Sequence, residues 1–254
     1  MTPCVLIIAG SDSGGGAGVQ ADIKTVTMLG GHAMTAITAI TAQNTLGVQA
    51  VHPIPAEIVV AQMRSVIDDL GVDAVKIGMI GSAATAHAVA DVLDTLAVPV
   101  VFDPVMIATS GSVLADADTI AAFARLMRQA AVVTPNLPEL AALGGEDAVR
   151  AGGAALLVKG GHGEGDIVED RLVGVDGVET VWTHPRIQTR HSHGTGCTLA
   201  SGVATGLATG LPLADAVGRA IAYVQAALAA APGLGAGHGP MGHALGRVPF
   251  DDRT

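Results

Sequence analysis

The chain has 254 residues and a formal net charge of −10, with 13 lysines and arginines against 23 aspartates and glutamates. Half of the residues are hydrophobic, which excludes a disordered protein. The acidic balance argues against binding to nucleic acid or to an anionic membrane, and three Phe, one Trp and one Tyr are too few for the stacking surface of a single-strand binder.

Short β-branched runs alternate along the chain with longer stretches rich in Ala and Leu. In chain order, this pattern predicts strands at 5–9, 33–41, 74–77, 98–102, 132–133 and 155–158, followed by an edge pair at 167–173 and 179–183. It predicts intervening helices at 16–29, 56–70, 83–96 and 118–130, and two final helices between 195 and about 231 that are separated by residues 210–212.

The alternation of apolar strands with helices predicts one α/β domain with a mostly parallel sheet that is covered on both faces. No linker or change in composition divides residues 1–254, and the segment from about 233 to 254 is predicted to be loop-like. Ligands of such sheets bind at the carboxyl ends of the strands. The segments that follow the strands are therefore where we expect functional residues.

Cysteine usage and the uncharged stretches predict a cytoplasmic protein. Cys4 and Cys197 are too few for a disulfide framework, and no basic segment precedes the first apolar run, so we expect no signal peptide. The uncharged stretches 25–56 and 194–214 are interrupted by Gly, Pro, His, Gln or Thr. They fit buried segments better than membrane spans, which need about 20 predominantly apolar residues.

A glycine-rich turn follows the first strand, in the sequence Gly10-Ser11-Asp12-Ser13-Gly14-Gly15-Gly16-Ala17-Gly18. Glycines let the backbone approach a ligand closely and expose N–H groups at a helix start. Residues 16–21 fit a loose dinucleotide-binding pattern, but that pattern also needs an acidic residue about 20 positions further on to bind the ribose. No Asp or Glu occurs between Asp22 and Glu57. The chain also has no Gly-Lys pair for a Walker A loop. A purely structural turn is the alternative.

A second glycine-rich turn, Gly194-Thr195-Gly196-Cys197, opens a predicted helix. Its amides and the helix dipole would stabilise negative charge on a transferring phosphoryl group. Because helix N-termini favour thiolates, we expect the Cys197 thiol to be acidified and to act as a base or polarising group for a substrate hydroxyl. The alternative is a small buried hydrophobic residue, which is the interpretation we keep for Cys4.

Two further polar segments follow predicted strands. Asn136 and Glu139 are three residues apart, and their oxygens suit Mg²⁺, although a helix N-cap with an acidic first turn is the alternative. Lys159 is one of three lysines in the chain and precedes two glycines, where a phosphate could reach it. A solvated surface lysine is the alternative for that position.

Gln43 ends the second predicted strand and can both donate and accept hydrogen bonds, which suits the edge of an aminopyrimidine-like ring. Met79 and Val105 would supply apolar walls, with core packing as the default for methionine. The nine histidines show no metal-binding spacing. His191 and His193 lie beside the second glycine-rich turn, where a loop role explains them as well as a catalytic one.

As an ordered set, these motifs resemble those of the hydroxymethylpyrimidine/phosphomethylpyrimidine kinases, the thiamine-biosynthesis family of the ribokinase-like superfamily. The resemblance implies a three-layer α/β/α sandwich with little or no lid, usually a homodimer, which uses ATP and Mg²⁺ to phosphorylate 4-amino-5-hydroxymethyl-2-methylpyrimidine and then its monophosphate. The motifs that carry it are Ala9-Gly10-Ser11-Asp12, Gln20-Ala21-Asp22, Thr41-Ala42-Gln43-Asn44, Lys76-Ile77-Gly78-Met79, Asp103-Pro104-Val105-Met106, Thr134-Pro135-Asn136-Leu137-Pro138-Glu139, Lys159-Gly160-Gly161-His162 and His193-Gly194-Thr195-Gly196-Cys197.

Carried over by position, the resemblance implies a role for each matching residue. Gln43 would hydrogen-bond the pyrimidine, and the rest of the substrate-binding set would be Gly10, Ala17, Asp22, Met79 and Val105. The catalytic anion hole would be Gly194, Thr195, Gly196 and Cys197, with Cys197 where most ribokinase-like kinases carry an aspartate base. ATP would be bound by Lys159 and Asn136, and Mg²⁺ by Glu139, Asn136 and Asp103. Thr109 stands near a position where similar kinases often have lysine.

Three other functions stay open at this point. One is a pyridoxal kinase of the same subfamily, and another is a non-catalytic nucleotide-binding protein on the same fold. The third is a nicotinamide-dependent oxidoreductase, which the missing ribose-binding acid disfavours. With only one of three lysines at a phosphate-binding motif, a polyphosphate must be held by backbone amides, one lysine and Mg²⁺, so we expect metal dependence.

Overall fold

The computed structural model describes residues 2–108, 111–163 and 165–248. Thr109 and residues 249–254 of the predicted tail lie outside these ranges. Within them, no helix is long and apolar enough to cross a membrane.

The described strands form one sheet. They are β1 (Cys4–Asp12), β2 (His32–Asn44), β3 (Gly47–Pro53), β4 (Ala74–Ile77), β5 (Val100–Phe102), β6 (Val132–Val133), β7 (Ala155–Val158), β8 (Ile167–Val173) and β9 (Glu179–Pro185). Their order is β3-β2-β1-β4-β5-β6-β7-β8-β9. The six strands from β2 to β7 in this order are parallel, whereas β3 at one edge and β8 and β9 at the other are antiparallel.

The helices cover both faces of the sheet. They are α1 (Gly18–Met28), α2 (Ala56–Leu70), α3 (Ala83–Leu93), α4 (Ala117–Gln129), α5 (Leu137–Ala142), α6 (Glu146–Arg150), α7 (Thr195–Ala208) and α8 (Leu213–Ala229). Successive side chains of a strand point to opposite faces. Val5 and Ile7 of β1 accordingly pack in a core with α1, α7 and α8, while Leu6 and Ile8 pack in a second core with α2, α3 and α4.

This arrangement confirms the predicted three-layer α/β/α sandwich with a mostly parallel sheet. Among the described residues one sheet holds every named strand, and the expected lack of a lid stays a prediction. The predicted bounds of α2 and β4 match the structure, and the edge pair is β8 and β9. Strand β3 and helix α6 lie outside the predicted elements, and α5 begins at the helix cap that is the alternative interpretation of Asn136 and Glu139.

Candidate active site

A cavity of about 720 Å³ opens at the carboxyl ends of the parallel strands. Its wall contains every predicted site residue except Asp22. The lining includes Gly10, Ala17, Gln43, Met79, Asp103, Val105, Asn136, Glu139, Lys159, Gly194, Thr195, Gly196 and Cys197. Residues from six separate strand ends therefore converge, as expected for a sheet whose ligands bind at its carboxyl edge.

The two glycine-rich turns pack directly against each other in this cavity. Gly194 is the N-cap of α7 with φ +87°, in the left-handed region that favours glycine. A Cβ at Gly194 would overlap the carbonyl oxygen of Gly16, so no larger residue fits there. The first turn of α7 is thus held against the turn that follows β1.

Asp12, a residue to which the sequence assigned no role, holds the two turns together. Its side chain is buried, and it accepts hydrogen bonds from the backbone N–H groups of Gly14 (2.8 Å), Gly16 (3.0 Å) and Ala17 (2.8 Å). Its Oδ2 lies 3.0 Å from Nε2 of His193, directly before Gly194. Burial acts to raise the pKa of Asp12, but the hydrogen bonds from His193, Ala17 and Gly14 outweigh it and lower the pKa.

Gln43 lies next to the contact between Asp12 and His193, because the pairing of β2 with β3 is irregular between Ala42 and Gln43. Such bulges re-aim a side chain. The amide of Gln43 is placed with Nε2 3.0 Å from Nε2 of His193 and Oε1 3.1 Å from Oγ1 of Thr41. Across the cavity, a Cβ at Gly10 would lie 2.9 Å from the sulfur of Met79, so this glycine makes room for the methionine.

Charged groups gather where α7 begins. Nζ of Lys159 lies 2.6 Å from Oδ1 of Asp103 and 3.7 Å from Oε2 of Glu139. A Cβ at Gly196 would lie 3.2 Å from the same nitrogen, so the ammonium lies against the first turn of α7. Burial acts to lower the pKa of Lys159, but the two carboxylates outweigh it and raise the pKa, so the lysine stays charged.

Asn136 and Glu139 form the helix cap that was the alternative interpretation of this segment. Oδ1 of Asn136 accepts from the backbone N–H of Glu139, and Oε2 of Glu139 accepts from the backbone N–H of Asn136, both at 2.8 Å. This capping box begins α5. The cap engages the only side-chain oxygen of Asn136 and one of the two carboxylate oxygens of Glu139, while both residues still line the cavity.

The oxygen donors near Lys159 fit Mg²⁺ only together with a phosphate. Among the described residues, no group of three or more His, Cys, Asp and Glu side chains could hold a metal ion. Mg²⁺ commonly binds one or two carboxylates together with substrate phosphates and water. Asp103 and Glu139 supply two carboxylates at the cavity wall, which is sufficient for that mode of binding.

The expected acidification of Cys197 is wrong. The thiol lines the cavity from the first turn of α7, but burial raises its pKa to about 11. The charge of Lys76 and the N–H of Gly18 lower the pKa, and the carboxylates of Asp22 and Asp103 raise it. Desolvation and the two carboxylates therefore outweigh the groups that favour the thiolate, and the thiol is protonated at neutral pH.

The expected contact of Asp22 with substrate is also wrong. Asp22 is fully buried below the cavity, where its carboxylate accepts from Nζ of Lys76 at 2.8 and 3.0 Å and from Oγ of Ser201 at 2.7 Å. Lys76 is fully buried as well. The aspartate faces inward from α1 and joins that helix to β4 and α7, so it supports the floor of the cavity.

Sequence reasoning missed the opposite end of the cavity, which Asp170, His184 and Arg186 line. Asp170 accepts from the backbone N–H of Gly160 at 2.9 Å, and Arg186 donates to the carbonyl oxygens of Gly161 and Gly163, both at 2.8 Å. These bonds shape the turn after Lys159. A charged residue at the end of an edge strand gave no sequence signal for this role.

A family model described as phosphomethylpyrimidine kinase matches residues 12–242. The chain belongs to this family. It is 50% identical to a hydroxymethylpyrimidine/phosphomethylpyrimidine kinase of Rhizobium meliloti, with 96% of this chain and 97% of the relative covered. It is 48% identical to the enzyme of that name from Streptomyces coelicolor, with 95% and 94% covered.

A solved structure with a similar fold is Bacillus subtilis pyridoxal kinase in an ADP complex. Its TM-score is 0.88 at 31% identity, with 98% of this chain and 100% of that chain covered. The family membership confirms the resemblance drawn from the ordered motifs. It argues against the alternative of a nicotinamide-dependent oxidoreductase.

Proposed function

We propose that this chain transfers the γ-phosphoryl group of ATP to the hydroxymethyl group of 4-amino-5-hydroxymethyl-2-methylpyrimidine, and a second phosphoryl group to the monophosphate, in thiamine biosynthesis. The observation that carries the proposal is that Gln43, Lys159 and the turn 194–197 line one cavity in a chain of this family. A ring-binding amide, a charged lysine and an anion-binding turn are the groups that the reaction needs.

In this proposal the two substrates occupy different parts of the cavity. The pyrimidine binds beside Gln43, Met79 and Val105, with its hydroxymethyl group toward the turn 194–197. The ATP phosphates bind beside Lys159, whose ammonium and the N–H groups of the first turn of α7 face the same space. Phosphoryl transfer depends chiefly on positioning and on stabilising charge, and both groups place positive charge where the transferring phosphoryl group would lie.

Asp103 and Glu139 would hold Mg²⁺, which when bound neutralises the charge of the phosphates. The N–H groups of the Asn136 amide, whose oxygen caps α5, are available to an ATP phosphate oxygen. Oδ1 of Asp103 already accepts from Lys159 and from Oγ1 of Thr134 at 3.1 Å, so this carboxylate also orients the lysine toward the phosphates.

Cys197 acts in this proposal as a protonated thiol that contacts the substrate hydroxyl, and it is not a preformed thiolate base. In a Cys4→Ser background, alkylation of Cys197 by iodoacetamide is expected to accelerate about tenfold per pH unit from pH 8 to 10, because only the thiolate reacts and its pKa is about 11. Mass spectrometry of the labelled peptide measures the rate. A rate that is already constant at pH 7 would restore the acidified thiol.

The pyridoxal kinase alternative rests on the likeness to the Bacillus subtilis structure. We expect kcat/KM for the aminopyrimidine to exceed that for pyridoxal at least tenfold when ADP release is measured with both alcohols at saturating ATP and Mg²⁺. ATP alone, without either alcohol, serves as the control for hydrolysis. Turnover of pyridoxal alone would reverse the assignment.

We also propose that residues 1–254 act as one kinase domain, in the cytoplasm, as a homodimer. The dimer is the usual state that the resemblance implies, and β3 forms an edge of the sheet with most of its side chains exposed. The mass of the protein in solution tests the dimer.

A further inference from the structure

Four side chains form a row of contacts along the wall of the cavity: Asp12, His193, Gln43 and Thr41. Nε2 of His193 lies 3.0 Å from Oδ2 of Asp12 and 3.0 Å from the Gln43 amide, whose other end lies 3.1 Å from Oγ1 of Thr41. An amide presents a donor on one side and an acceptor on the other, so the orientation of Gln43 determines which ligand edge it matches.

The contact with Asp12 fixes the proton on His193. Asp12 accepts three backbone hydrogen bonds and has a lowered pKa, so at neutral pH it is a carboxylate that can only accept. Nε2 of His193 therefore carries the hydrogen in the Asp12 contact and cannot itself accept. The atom of Gln43 that lies 3.0 Å from this nitrogen must also be an acceptor, Oε1, which shares the one Nε2–H with Asp12 in a three-centre hydrogen bond.

The contact with Thr41 gives the same answer independently. The Thr41 hydroxyl has one hydrogen, and its oxygen lies 2.9 Å from the backbone carbonyl oxygen of Ser11, which can only accept. In its contact with Gln43, the Thr41 oxygen must therefore accept a hydrogen bond, so the NH₂ group of Gln43 must face Thr41. Because the oxygen and nitrogen of an amide have nearly the same size, hydrogen bonding decides its orientation. Both contacts therefore require the Gln43 amide to be rotated by 180°, so that Oε1 lies beside His193 and Nε2 lies beside Thr41.

We propose that Asp12 and His193 are positioning residues that hold Gln43 with its oxygen beside the turn 194–197 and its NH₂ group beside Thr41. This polarity selects a ring whose hydrogen-bond donor is adjacent to the hydroxymethyl group. The inference deepens the proposed function and rests on it. Because His193 immediately precedes Gly194, we infer that the side of Gln43 that faces His193 is the side nearer to the phosphoryl-transfer turn.

The proposed substrate matches this polarity and pyridoxal does not. The aminopyrimidine carries its amino group on the ring carbon next to the hydroxymethyl-bearing carbon, with a ring nitrogen beyond it. With the hydroxymethyl group toward the turn, the amino group donates to Oε1 and the ring nitrogen accepts from Nε2. Pyridoxal carries a carbonyl oxygen at the first of these positions, where it meets another acceptor. Unpaired polar groups of this kind are an effective means of rejecting a wrong ligand.

The test compares two ligands, the aminopyrimidine and 5-hydroxymethyl-2-methylpyrimidine, which lacks the amino group. Isothermal titration should show that the wild type binds the first at least tenfold more tightly. The His193→Met variant, which keeps a side chain of similar length without a donor, is expected to reduce that ratio below threefold. His193→Gln can donate at the same reach and should keep the ratio within threefold of the wild type.

His191→Met is the matched control, because this histidine belongs to the same loop and does not line the cavity. It should retain the wild-type ratio. Thr41→Val removes the other anchor of the amide and should lower the ratio at least threefold, so the test does not depend on one variant's folding. Thermal melting checks that each variant is folded.

Three results would overturn the inference. One is a wild type that binds the two ligands equally, and another is a His193→Met variant that loses the same factor for both. The third is failure of both His193→Met and Thr41→Val, when folded, to change the ratio. Absence of any turnover of the aminopyrimidine would instead overturn the proposed function, so the two failures are distinguishable.

Discussion

Replacing Lys159 by alanine is expected to lower kcat about a hundredfold to a thousandfold, the range found when one donor to developing charge is removed. Its ammonium lies against the first turn of α7 and is the one lysine nitrogen that the described cavity wall contains. KM for ATP should also rise, while binding of the pyrimidine, which lies beside Gln43, should change less than threefold. Steady-state kinetics with each substrate varied measures both effects.

Lys24→Ala is the matched control for Lys159. The Lys24 side chain is exposed, does not line the cavity and donates to the carbonyl oxygen of Gly15 at 2.7 Å. Its removal should leave kcat within threefold of the wild type. Removing Lys159 also leaves the buried Asp103 without its cation, so a melting curve must accompany the kinetics. A folded Lys159→Ala variant with unaltered ATP kinetics would exclude the lysine from phosphate binding.

The layered fold could be predicted because its parallel strands correspond to short apolar runs in the sequence. Residues 74–77 and 56–70 have the bounds that their hydrophobic periods predict, since both elements are packed against the core. Strand β3 was missed because it forms a sheet edge where most side chains are exposed, so no apolar pattern marks it. Helices α5 and α6 have six and five residues, too short for a helical period to show.

The candidate site was predictable as a set of strand-end motifs but not as a set of orientations. A motif places Asp22 on a helix but does not show which face of that helix meets the cavity. In the structure, Asp22 faces the protein interior. The position of Cys197 at a helix N-terminus predicts an acidic thiol, but burial, which depends on the assembled fold, dominates and raises its pKa. The contact of Asp12 with His193 joins residues 181 positions apart, and only the assembled sheet brings them together.

The buried pair of Asp22 and Lys76 gives the largest expected effect on stability. Asp22→Asn leaves the Lys76 ammonium fully buried without its counter-charge, and Lys76→Met leaves the carboxylate in the same state. Removing one partner of a buried pair typically costs about 3–5 kcal/mol. Each single variant should therefore lower the free energy of unfolding by about that amount, measured by denaturant titration monitored by circular dichroism.

The double variant separates an ion pair from two independent packing residues. Asn at position 22 can still accept from Oγ of Ser201, as Asp22 does, and Met at position 76 fills the volume of the lysine stem, so the combined change leaves no buried charge. Because desolvating two charges offsets most of their attraction, we expect the double variant to lose less than either single variant. Losses that add would show that the pair is not coupled. Weaker binding of ATP in a stable double variant would instead show that the pair also helps to position the anion-binding turn.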